Sequence, residues 1–145
     1  MGFRHSELAA FGPEVVPLGP EDALALFRRA SDFASQSRYG LNEALFPAVE
    51  RLDVDEPGPD ARQWLADRVD CGELLLVFGK GDVFRVPASL FLDQWQDRFC
   101  PSRDDVVILP VIGGWALFYH HEDEFEFARC GPQPPKQGKY LTDGA

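Results

Sequence analysis

The stretch Val106-Val107-Ile108-Leu109-Pro110-Val111-Ile112-Gly113-Gly114-Trp115-Ala116-Leu117-Phe118-Tyr119-His120-His121-Glu122-Asp123-Glu124-Phe125-Glu126-Phe127 decides the fold. Two runs rich in β-branched and aromatic residues flank Gly113-Gly114, which predicts a hairpin closed by a two-residue turn. Pro110 has no N–H for a ladder bond, so its strand is expected on a sheet edge or at a bulge. Residues 124–129 alternate acids with aromatics, the pattern of a third strand with one wet face.

Working outward, Glu73-Leu74-Leu75-Leu76-Val77-Phe78 is short and nearly all apolar, as expected of a strand buried on both faces. Gly79-Lys80-Gly81-Asp82 predicts a four-residue hairpin turn with Gly81 at positive φ, and 83–86 returns antiparallel. Pro87 opens a helix reaching Phe99, with Ala88, Phe91, Leu92, Trp95 and Phe99 on one face. Upstream, Asp60 and Gln63 form a capping-box pattern before a helix that buries Ala61, Trp64, Leu65 and Val69. Asn42 and Pro47 suggest a short helix ending near Leu52. Gly19-Pro20-Glu21-Asp22 starts a longer one, with proline at the first helical position and acids at the positive end. Its stripe is Ala23, Leu26, Phe27, Ala30, Phe33 and Ala34, and Gly40 is the expected stop. Residues 1–18 read as irregular.

Helices and strands do not alternate as βαβ units. The chain therefore reads as α+β: N-terminal helices, then a mainly antiparallel sheet of about five strands with one inserted helix, and helices against one sheet face. Residues 1–130 are expected to form a single domain and 131–145, rich in proline and glycine, a flexible tail.

The 145 residues carry a net charge of −10, from 24 acids against 14 bases. That charge disfavours nucleic acid and anionic membranes as partners and suits a basic protein. Arginine outnumbers lysine 11 to 3, a composition associated with GC-rich bacterial genomes. Cys71, Cys100 and Cys130 are odd in number and widely spaced, which suits free thiols in a reducing compartment and a cytoplasmic location. No apolar run is long enough to span a membrane.

Tyr119-His120-His121-Glu122-Asp123-Glu124 is the densest ionisable cluster. His120, His121 and Glu122 offer the donor types of a divalent metal site, but neighbours on a strand point to opposite faces, so a solvated turn is the better reading. No nucleophile–base pair, phosphate loop or metal motif is present, and no cofactor is expected. Acids also cluster at Asp53, Asp55, Glu56 and Asp60, at Asp93 and Asp97, at Asp104 and Asp105, and along Glu122, Asp123, Glu124 and Glu126. Two or more clusters, if brought together, would steer a basic protein. Trp115, after the tight turn at a hairpin tip, is a candidate partner anchor with Tyr119 as a second, while the favoured alternative is that Trp115 folds back onto the sheet.

In size, acidity, helix–strand order and strand-rich C-terminal half, the chain resembles the small acidic immunity proteins with which bacteria neutralise secreted toxins. The resemblance implies occlusion of a toxin's active site by charge and shape. The partner-binding candidates are Asp93, Asp97, Asp104, Asp105, Trp115, Tyr119, Glu122, Asp123, Glu124 and Glu126. The alternatives are a small-ligand binder or hydrolase-like enzyme using His120 or His121 with nearby carboxylates, and a homodimer paired through an edge strand holding Pro110.

Overall fold

The computed structural model describes residues 14–34, 40–42, 45–46, 48–54, 60–98, 105–120 and 122–129. In chain order the elements are β1 (Val16–Pro17), α1 (Pro20–Phe33), β2 (Glu50–Asp53), α2 (Ala61–Arg68), β3 (Glu73–Gly79), β4 (Asp82–Pro87), α3 (Ala88–Arg98), β5 (Val106–Pro110), β6 (Trp115–His120) and β7 (Glu124–Arg129). The strands form one sheet in the order β1-β4-β3-β5-β6-β7-β2. Every pairing is antiparallel.

The central strands bury residues of both parities, and two separate cores result. On one face Leu74, Leu76, Ile108, Leu117, Phe125 and Phe127 pack with Leu65 of α2 and Phe91 and Trp95 of α3. On the other, Val77, Val107, Leu109, Ala116, Phe118 and Ala128 pack with Ala23, Ala30, Leu26 and Phe27 of α1. Alanines on both sides of this second contact let helix and sheet approach closely. Each fully buried leucine or phenylalanine contributes about 1.5–3 kcal/mol, so both layers are needed.

Several expectations are corrected. Among the described residues the sheet has seven strands rather than about five. The helices cover both faces instead of one, and α2 follows β2 instead of belonging to an N-terminal helical group. The added strands are the two edges. β1 has two residues and contains a proline, and β2 buries only Leu52, so neither carries much local pattern. Residues 50–53 are strand and not helix because β7 supplies the partner. α1 ends at Phe33, before Gly40, where Ala34 turns extended and bridges Leu41. β7 has no wet face: Phe125, Glu126, Phe127 and Ala128 are all buried. Residues 130–145, including the tail, lie outside the described residues.

Turn chemistry also differs. Lys80 and Gly81 alone link the paired Gly79 and Asp82, with a register shift between Val77 and Gly79, and Gly81 does not have positive φ. The β5–β6 connection is four residues long, 111–114. Pro110 ends β5, a central strand, so it marks no edge. Val111 donates its N–H to the Glu73 carbonyl at 3.0 Å, which makes 73 and 111 a hydrogen-bonded pair. By antiparallel alternation the missing Pro110 N–H then faces β6, where the ladder has already ended at Ile108↔Leu117. Helix α2 starts as expected, with Asp60 Oδ1 accepting from the Arg62 and Gln63 N–H groups at 2.9 and 3.3 Å. The Gln63 side-chain amide donates forward to Asp67 at 2.7 Å.

Gly113 has φ +151°, and a Cβ there would sit 3.1 Å from Pro110 Cγ. Gly113→Ala is expected to cost about 1–3 kcal/mol in urea unfolding. Gly81→Ala, with nothing within 4 Å of the added methyl, is expected to stay within about 0.5 kcal/mol.

Candidate functional site

The β6–β7 turn carries the densest chemistry. His120 and Glu124 close the ladder, and Asp123 donates its N–H to the His120 carbonyl at 2.9 Å. Asp123 has φ 62°, the left-handed conformation that a three-residue hairpin loop requires at its last position. Aspartate tolerates it, and here the side chain is held as well: the Tyr119 hydroxyl donates to Asp123 Oδ1 at 2.7 Å. The Tyr119 ring is fully buried against Trp95 and Phe125.

His120 is buried, on the α1 side of the sheet. Glu122 N–H donates to His120 Nδ1 at 3.2 Å, so in this arrangement the proton sits on Nε2, which donates to Glu124 Oε1 at 2.8 Å. Both ring nitrogens therefore hold the turn. Among the described residues no group of three His, Cys, Asp or Glu side chains is placed to hold a metal ion, and His121 lies outside them.

Beside the turn runs β2. Asp53 is the cross-strand partner of Glu124, and Val54 N–H donates to the Asp123 carbonyl at 3.0 Å. Asp53, Glu122, Asp123 and Glu124 thus share one corner of the sheet, with Glu122 well exposed and Asp53 exposed. Like charges directly opposite on a ladder are destabilising. Asp105 adjoins the same sheet end, since the next residue, Val106, pairs with Tyr119. Asp53 and the acids at 122–124, far apart in sequence, are brought together by the β2–β7 register.

Other candidates fall elsewhere. Asp93 is on α3, across the sheet from α1, and forms an exposed pair with Arg62 of α2 at 2.6 Å. Glu126 is buried, accepting from Leu41 N–H at 2.8 Å and from Arg51 Nε at 2.9 Å, so it ties β2 and the segment after α1 to β7 instead of facing a partner. Trp115 folds back onto the sheet, the favoured alternative, and offers no exposed anchor. The four-residue connection moves it off the hairpin tip into β6, where it is buried, tilts against Phe127 and donates Nε1–H to Asp70 at 2.9 Å. Tyr119 is likewise buried and presents no aromatic face. The exposed apolar residues at that tip are Val111 and Ile112, the latter 84% exposed. The Asp97 side chain, Asp104, Cys100 and Cys130 lie outside the described residues. Cys71 is half-buried, and burial, then Asp70, pushes its thiol pKa up, which suits an inert thiol.

Sequence reasoning missed the Arg51–Glu126 tie and Asp53 as a member of the corner. It also missed a cavity of about 150 Å³ between the C-terminal half of α1 and the β3–β5 end of the sheet, with Asp105 in its lining. Compared with protein-family models, curated proteins and solved structures, the chain matches none. No helix of the described residues is long and apolar enough to cross a membrane.

Tyr119→Phe and Asp123→Gly each remove the bond that pins the turn, while glycine keeps the left-handed backbone without steric cost. In urea unfolding, the double-mutant cycle is expected to show a coupling of about 0.5–1.5 kcal/mol. Strictly additive costs would mean that the bond does not hold the turn.

Proposed function

We propose that this chain is a non-enzymatic protein-binding module whose acidic corner takes a basic protein partner, of the toxin-neutralising kind in the immunity-type reading. The observation that carries it is the meeting of Asp53 with Glu122, Asp123 and Glu124 across the β2–β7 ladder. Acids gathered at one exposed corner attract a cationic surface. A net charge of −10 extends the same attraction beyond contact range, raising on-rates for a cationic partner. The histidine-based alternative has less support, because the buried His120 ring is engaged at both nitrogens. The homodimer alternative loses its stated basis, because Pro110 lies on a central strand.

The test uses the tagged chain as bait in native lysate at low and high salt, read by mass spectrometry, beside the variant Asp53→Asn/Glu122→Gln. A basic protein that is released by salt and recovered roughly tenfold less with the variant is expected. Recovery of no protein at either salt, or equal recovery with the variant, would contradict the proposal.

A further inference from the structure

The cavity under α1 has Asp105 in its lining, at the same sheet end as the acidic corner. Its walls include Phe27 and Ala30 of α1, and Val77 and Val107 of the sheet. Among the described residues that line it, the polar side chains are Ser31 and Asp105. Ser31 spends its hydroxyl proton on the Phe27 carbonyl at 2.9 Å, so its oxygen is left to accept. The polar groups thus offer acceptors and negative charge, while the walls offer hydrocarbon.

An elongated ligand with an apolar stem and a cationic head matches both features. The lysine side chain is built this way, burying its methylenes against apolar surface while its ammonium reaches for charge. Size agrees. An apolar cavity of roughly 150 Å³ in another protein takes up benzene, which has six heavy atoms, and butylammonium, the lysine side-chain analogue, has five. The planar fork of arginine suits flat bidentate sites better than a compact cavity. We infer that this cavity is a subsite for one lysine side chain of a basic partner, with the stem against Ala30, Val77 and Val107 and the ammonium at Asp105. The inference rests on the binding-module reading and adds the partner's anchor residue to it. A carboxylate accepts several donors at once, so the subsite does not require Asp105 to be otherwise idle.

The experiment titrates the isotope-labelled chain with n-butylammonium, n-pentanol and guanidinium, followed by amide and methyl NMR shifts. The expected result is saturable butylammonium binding with shifts at Ala30, Val77 and Val107, at least about fivefold weaker in Asp105→Asn. The shifts should vanish in Ser31→Leu, which occupies the cavity from a partly exposed position, and in Ala30→Leu if that variant folds. Absence of saturable shifts at these residues overturns the subsite, as does pentanol or guanidinium binding as tightly. Shifts confined to Glu122 and Glu124 also overturn it while leaving the acidic-corner reading standing. Loss of partner capture in Asp53→Asn/Glu122→Gln belongs to that reading alone.

Discussion

The central strands carry apolar side chains on both faces, so both faces must be covered. Along β6, Trp115, Leu117 and Tyr119 enter one core while Ala116 and Phe118 enter the other. β3 and β5 behave alike. A single helical layer would leave one set facing water. The chain supplies α1 to one side and α2 with α3 to the other, producing the layered cover usual for parallel sheets on a wholly antiparallel one. The β2 edge carries a polar pattern instead. β2 exposes Glu50, Arg51 and Asp53 and buries only Leu52, a charged edge that discourages further strand pairing.

The acidic corner follows from that layout. β6, β7 and β2 run together to one sheet end, where the turn must be built from polar residues. Two buried polar side chains secure it. Glu126 receives the Leu41 amide and the Arg51 guanidinium, fixing β2 against β7. His120 accepts the Glu122 N–H at Nδ1 and is hydrogen-bonded through Nε2 to Glu124 Oε1, fixing the loop. Removing Glu126 would strand the buried Leu41 N–H, a cost of about 1–3 kcal/mol. The Glu122 and Asp53 side chains are thereby held at the exposed surface of this corner.

Local signals were the legible ones. Gly19-Pro20-Glu21-Asp22 and Asp60 mark helix starts through short-range chemistry, and the structure places α1 and α2 there. The strands β3 to β7 were visible as apolar runs. β1 and β2 were not, because two or four residues with little apolar content become strands only when a distant partner pairs with them. The Arg51–Glu126 tie spans 75 residues. The same limit applied at the site: residues 122–124 read correctly as a charged turn, but nothing local to Asp53 says which strand it will meet. Beside Trp115 it is the turn length that differs from the local signal. Gly113-Gly114 suggested a two-residue turn, whereas the chain turns over four residues and draws the indole inside.

The β2–β7 register sets Asp53 against Glu124. Val54 N–H bonds to the Asp123 carbonyl, so 53 and 124 form a non-hydrogen-bonded pair, the kind whose Cα atoms approach to about 4.5 Å. In such a pair the two α-protons point at each other. A strong nuclear Overhauser effect between the α-protons of Asp53 and Glu124 is the expected result. Its absence, or a strong effect from the Asp53 α-proton to a different β7 residue, would mean that Asp53 and the acids at 122–124 do not meet as described.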